Sequence, residues 1–213
     1  MQTELVTTDT AGRYHHGNLR AALIAAGVEL ARAGGPSAVV LRAVSREAGV
    51  SHNAAYRHFA DQEDLLAAVG DQCMIPLGER MLDATKAVRT RAAVPRAWAR
   101  LEAIGRAYVE FAREEPGWFR TAFAGVSKFG VPESAVPPEG PGVHPYLLLN
   151  ARLDELVDVG AIPAERRPGA ELAAWSAVHG LSSLLLDGPL RALGGADADR
   201  ATALVLDVVS RGL

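Results

Sequence analysis

The sequence predicts an all-α protein, and three observations predict it. Helix formers, above all Ala and Leu, fill most segments, while β-branched runs are short. Apolar residues recur at i, i+3, i+4 and i+7 rather than alternately. The gaps between these periodic stretches carry the chemistry of helix ends, with Ser, Asn or Asp ahead and Gly or Pro behind.

Taken in order, Asn18 is placed to cap a first helix bearing Leu19, Ala22, Leu23, Ala26 and Leu30, which Gly34-Gly35-Pro36 ends. A short helix over Leu41–Ala48 has Leu41, Val44 and Ala48 on one face. Gly49 follows where a left-handed turn residue belongs, and Ser51 caps a helix running through Tyr56 and Phe59. Asp61 starts a longer helix with Leu65, Leu66, Val69 and Met74, and turns are expected around Pro76 and Ala92–Pro95. Trp98, Leu101, Gly105, Tyr108 and Ala112 form one stripe of the next helix, broken at Pro116-Gly117 before an aromatic segment, Trp118–Phe123. Val126–Val143, with four prolines and three glycines, is read as a surface loop. Three further helices are expected at about 144–160, 168–187 and 197–211. There is no internal repeat.

Composition narrows the class. Among 213 residues, 49% are hydrophobic and 22% charged, which is globular. No window approaches the length of a membrane span, and the first dozen residues, polar and acidic, are expected to form a disordered tail. With no export signal, the cytoplasm is the expected compartment. One cysteine, Cys73, excludes an intrachain disulfide framework and a cysteine-based zinc site. The net charge of −3 hides an uneven distribution. Between Arg13 and Ala60 stand six arginines (13, 20, 32, 42, 46, 57) against only Glu29 and Glu47, together with four of the six histidines. Such a basic surface can hold phosphate while the acidic remainder keeps the protein in solution. His15 and His16 are neighbours in sequence and rarely converge on one ion, so a backbone or phosphate contact is preferred for them.

The informative segment is Leu41–Leu65, LRAVSREAGVSHNAAYRHFADQEDL. Two short helices joined at Gly49-Val50-Ser51 make a bracing helix, a turn free of a Cβ clash, and a second helix able to enter a major groove. Val44, Ala48 and Val50 supply small apolar packing between them. His52, Asn53, Ala54, Tyr56 and Arg57 gather hydrogen-bonding groups at the start of the second helix. Asn can read adenine with two bonds, and Arg can read guanine or grip phosphate. Alanine at 54 and 55 permits close approach and offers a methyl contact to thymine.

The spacing Ala48-Gly49-Val50-Ser51, Tyr56, Phe59, Leu65 resembles the signature of the TetR family of bacterial repressors, and Tyr14–Arg20 is similar to the lead-in of one branch of it. The match covers roughly residues 13–70. The resemblance implies a DNA-binding transcription regulator with residues 13–61 as a three-helix helix-turn-helix domain and 62–213 as a larger helical ligand-binding and dimerisation domain. It implies a homodimer on a palindromic double-stranded operator, its recognition helices roughly 34–36 Å apart, with repression as the family default. Arg42 and Ser51, His52, Asn53, Ala54, Tyr56 and Arg57 would face DNA, with Tyr56 and His58 on backbone phosphates. Two departures predict weaker non-specific affinity. Val40 stands where Ser or Thr usually caps the bracing helix, with Ser37 as a possible substitute, and Gln62 replaces a phosphate-contacting lysine.

In the second half, Trp175 and His179-Gly180 resemble the "WHG" type of TetR C-terminal domain. Trp98, Tyr108, Phe111, Trp118, Phe119 and Phe123, with Trp175 and His179, can line a pocket for a small hydrophobic or planar effector, or can fill a core; helical spacing fits both. The last two helices, with Leu181, Leu184, Leu185, Leu204, Val205, Val208 and Val209, are the expected two-fold interface. An enzyme is the rival reading. Asp154, Glu155, Asp158, His179 and Asp187 offer acid–base groups, but none lies in a nucleophile, phosphate-loop or metal-ligand motif. No catalysis, cofactor or metal site is expected.

Overall fold

The computed structural model describes residues 16–124 and 142–213, with side chains from Leu19 onward. The expected tail, His15, the side chain of His16 and nearly all of the loop at 126–143 lie outside the described residues. Within them, no strand occurs and nine α-helices follow one another: α1 His16–Gly34, α2 Leu41–Glu47, α3 His52–Ala55, α4 Gln62–Ala87, α5 Ala93–Glu114, α6 Pro116–Ala124, α7 Pro145–Asp158, α8 Ala170–Leu186 and α9 Gly195–Gly212. Single 3-10 turns lie at Pro36–Ala38 and Ala164–Arg166.

Two apolar cores organise these helices, and α4 serves both. Leu23, Val39, Val44, Ala55 and Phe59 bury themselves against Leu65, Val69 and Cys73 from the first turns of α4. Leu77, Met81 and Leu82, further along α4, join Leu101, Ile104 and Tyr108 of α5 with Leu148 and Leu153 of α7 and Val178 and Leu181 of α8. The boundary expected after Asp61 therefore falls at the head of a helix that packs into both units. Asp61 caps it, accepting from Asp64 N at 2.8 Å, while Asp64 accepts from Ala60 N at 3.0 Å.

The turn expected at Pro76 is absent, because α4 continues through it to Ala87. A proline inside a helix costs about 3 kcal/mol. The carbonyl left without its partner belongs to Gln72, an exposed residue, where water can satisfy it. Burial of Cys73, Leu77 and Met81 around the proline offsets the rest. Cys73 is fully buried in this stretch, and burial pushes its thiol up to about 12. The native protein should therefore be inert to a disulfide-exchange reagent such as DTNB at pH 8 and react fully once denatured. Rapid native labelling would mean that α4 opens at the proline.

The last two helices divide the residues expected at the two-fold interface. Leu181 and Leu185 turn into the chain's own core, and Val205 and Val209 are partly buried against it. Leu184, Leu204 and Val208 remain exposed, joined by Leu172, which the spacing had not singled out. No described helix is long and apolar enough to cross a membrane.

Candidate nucleic-acid interface and effector site

The turn between α2 and α3 is closed by backbone. Gly49 takes φ +69°, a conformation open to glycine at little cost, and Val50 N donates to Ser45 O at 2.9 Å. Ser51 caps α3, accepting from Ala54 N at 3.3 Å. Val40 precedes α2 without a side-chain cap. Ser37 does not substitute, since its hydroxyl donates to Gly34 O at 3.2 Å and closes α1 instead.

The second helix is shorter than its sequence suggests. Regular α-helix ends at Ala55, and the chain tightens through Arg57 N to Ala54 O at 3.3 Å and His58 N to Ala55 O at 2.9 Å. The tightening accompanies the burial of Phe59, 1% exposed, with the Arg20 guanidinium 4.9 Å above its ring. Arg42, Ser51, His52, Asn53, Tyr56 and Arg57 stand exposed, and Ala54 and His58 are half-buried. Ala55 is fully buried, so a methyl contact with a base is open to Ala54 alone. His52 meets Tyr56 edge-on, ring centres 4.8 Å apart. Arg46, counted in the sequence only for its charge, is exposed one turn beyond Arg42 on the same helix. Among the described residues, Arg42, Arg46 and Arg57 have no ion-pair partner, whereas many other arginines do. Three unneutralised cations around an Asn on a groove-sized element are suited to a polyanion.

The aromatic residues of the second half separate into a cluster and outliers. Tyr108, Phe119, Phe123, Trp175 and His179 meet, with Phe123 and His179 ring centres 4.7 Å apart and Tyr108 and Phe119 5.4 Å apart. Tyr108 and Phe119 form the buried floor; Phe123, Trp175 and His179 are only partly buried. Tyr146, not anticipated, approaches Trp175 at 5.9 Å. Trp98 and Phe111 pack into the surrounding core and make no ring contact with the cluster among the described residues. Trp118 faces the other way. Its Nε1 donates to Val28 O of α1 at 2.9 Å, and Arg32 lies 4.6 Å over its ring while pairing with Glu115 at 2.6 Å. Helix α6 thus has two faces, one in the aromatic cluster and one clamped to α1. An open, alanine-lined groove between α4 and α5 (Ala84, Ala99, Ala103) shares no residue with the cluster.

The acid–base groups do not converge. Asp154 pairs with Arg167, Glu155 with Arg100, and Asp187 with Arg120. No described group of His, Cys, Asp and Glu could hold a metal ion. Burial holds His179 below the usual histidine range, so it is a neutral polar group in an aromatic setting.

Comparison with known proteins agrees with both halves. The profile described as "Tetracyclin repressor-like, C-terminal domain" matches residues 101–209, and that described as "Bacterial regulatory proteins, tetR family" matches 23–69. No curated protein matches the sequence. A solved protein of unknown function from Rhodococcus sp. RHA1 is 26% identical, with 94% of this chain and 97% of that one covered and a TM-score of 0.66. RolR, solved with resorcinol, is 15% identical over 92% and 93% of the chains at a TM-score of 0.65. The transcriptional regulator FadR from Bacillus subtilis, solved with stearoyl-CoA, is 15% identical over 91% and 98% at 0.60.

Proposed function

This chain belongs to the TetR family of bacterial regulatory proteins, and from that premise we propose that it is a repressor which holds a palindromic operator as a homodimer and lets go when a small hydrophobic or planar effector enters its C-terminal domain. The observation that carries the DNA half is the exposed set Arg42, Arg46, Asn53 and Arg57 around the Gly49 turn, free of ion pairs among the described residues. Arg57 and Asn53 are the base readers, and Tyr56 and His58 hold phosphate.

Dimerisation is supported by the apolar side chains left outside the monomer core. Leu172 and Leu184 of α8 and Leu204 and Val208 of α9 lie on two helices that pack against each other. Covering them by a second copy gives a two-fold assembly that carries two reading helices. The effector half is supported by the aromatic cluster and by the two faces of α6. A molecule that displaces Phe119 or Phe123 moves the helix whose Trp118 grips α1 and whose body packs along α4. A coupling of about 1–3 kcal/mol changes operator affinity roughly 5–150-fold. Equal spacing of the recognition helices in DNA-bound and effector-bound crystals would refute this route.

Two substitutions test the reading face by fluorescence anisotropy on operator and unrelated duplexes. Arg57→Ala should lower operator affinity by about 1–3 kcal/mol and relax preference at one base position. Tyr56→Phe should weaken binding to all duplexes about equally, as loss of a phosphate contact does. Wild-type affinity in both variants contradicts the assignment.

A further inference from the structure

A directional hydrogen-bond chain runs through the aromatic cluster. Trp175 Nε1 lies 3.1 Å from Tyr108 Oη, and an indole N–H only donates, so the phenol oxygen accepts. The same Oη stands 2.8 Å from His179 Nδ1. Either Tyr108 donates to Nδ1, or Nδ1–H donates to Tyr108. The second arrangement leaves the hydrogen of a buried phenol with no acceptor among the described residues, at the full desolvation cost of a donor. The first satisfies all three groups. Nδ1 then carries the lone pair, and the single hydrogen of the neutral imidazole sits on Nε2. Burial keeps the ring neutral, and burial also raises the Tyr108 phenol, which keeps its hydrogen.

The Nε2–H has no hydrogen-bond partner among the described residues. Phe119 stacks on the imidazole with 29° between planes, while Phe123 and Trp175 meet it edge-on. No described carboxylate, ammonium or guanidinium hydrogen-bonds to Tyr108 or His179. Among the described residues, the cluster thus offers aromatic surface and one neutral donor, with no charged group hydrogen-bonded to Tyr108 or His179.

Resting on the reading of this cluster as the effector site, we infer that the effector is an uncharged planar aromatic molecule bearing a hydrogen-bond acceptor, such as a ring ketone, which lies against Phe123 and Trp175 and accepts from His179 Nε2–H. An aromatic hydrocarbon of the same shape leaves that donor unmatched. A cation gains from the ring faces but meets the positive end of the N–H, and no described carboxylate bonds to His179 to balance it. An anion is stripped of water for a single neutral donor.

Three probes separate these cases when titrated calorimetrically into the full chain: 9-fluorenone, fluorene and the N-methylacridinium cation. Fluorenone is expected to bind about tenfold more tightly than fluorene, with the cation weakest. His179→Phe should bring fluorenone and fluorene level. A long-range 1H–15N spectrum of the unsubstituted protein reads the tautomer without any change to the fold, and the hydrogen should be on Nε2. A hydrogen on Nδ1, equal wild-type affinity for ketone and hydrocarbon, or preference for the cation overturns this ligand class while leaving an effector site in place. Failure of all three probes to bind removes the effector site at this cluster, and the ligand class with it.

Discussion

Leu204→Asp combined with Val208→Asp is expected to yield a folded monomer whose operator affinity falls by about two orders of magnitude or more. These side chains are 62% and 59% exposed in the single chain. Replacing them removes no intrachain core contact, and surface changes of this kind usually shift stability by within about 0.5 kcal/mol. In a two-fold interface each substitution is met twice, so four carboxylates would be buried facing one another without partners. The loss of DNA binding follows from geometry. A dimer that has docked one reading helix presents the second at a high effective concentration, worth about 10²–10⁴ in affinity, and a monomer forfeits that factor. Analytical ultracentrifugation and anisotropy on the same preparation check both halves. A variant that stays dimeric, or a monomer with wild-type affinity, contradicts the proposed assembly.

Gly78→Ala is expected to lower the melting temperature by several degrees, far more than Gly105→Ala. A Cβ at Gly78 would stand 1.8 Å from Val143 O, so α4 and the backbone entering α7 must separate. Overpacking against a rigid neighbour costs about 1–3 kcal/mol, and a chain of this size loses roughly 2–4 °C per kcal/mol. A Cβ at Gly105 meets Leu206 Cδ2 at 2.4 Å, the end of a side chain that can rotate aside. Calorimetric melting of the two variants provides the comparison, and equal melting temperatures would mean that α4 and α7 are not held this closely.

The order and type of the helices were legible because each carries its own apolar periodicity, and two carry side-chain caps where the sequence puts them. Asn18, expected to cap the first helix, lies inside α1, and α2, α5, α8 and α9 begin without a side-chain cap. Ser51 and Asp61 accept the bonds their positions imply, and Gly49 has the left-handed conformation its place in the turn requires. Local signals failed where tertiary packing decides. Pro76 reads as a break, yet the buried residues around it carry α4 through. The second reading helix looks longer than one α-helical turn, because Phe59 continues the apolar spacing while its burial accompanies a tighter path. In the effector half, periodicity gives each aromatic residue a helix face but not the neighbour that face meets. It placed Trp118 with Phe119 and Phe123, although one residue's rotation aims it at α1. The relay from Trp175 through Tyr108 to His179 joins residues 67 and 71 positions apart, and Tyr146 meets Trp175 from another helix, all beyond the reach of any spacing rule.

The most direct test of the account is the salt dependence of binding to a random pool of double-stranded oligonucleotides, measured for the full chain from low ionic strength upward. Measurable affinity is expected at low salt, falling steeply and linearly on logarithmic axes as phosphate contacts release counterions, with a flatter slope when Arg42 and Arg46 are both replaced by Ala. A chain that ignores every duplex at the lowest salt, or whose slope is unchanged by that double substitution, would contradict it.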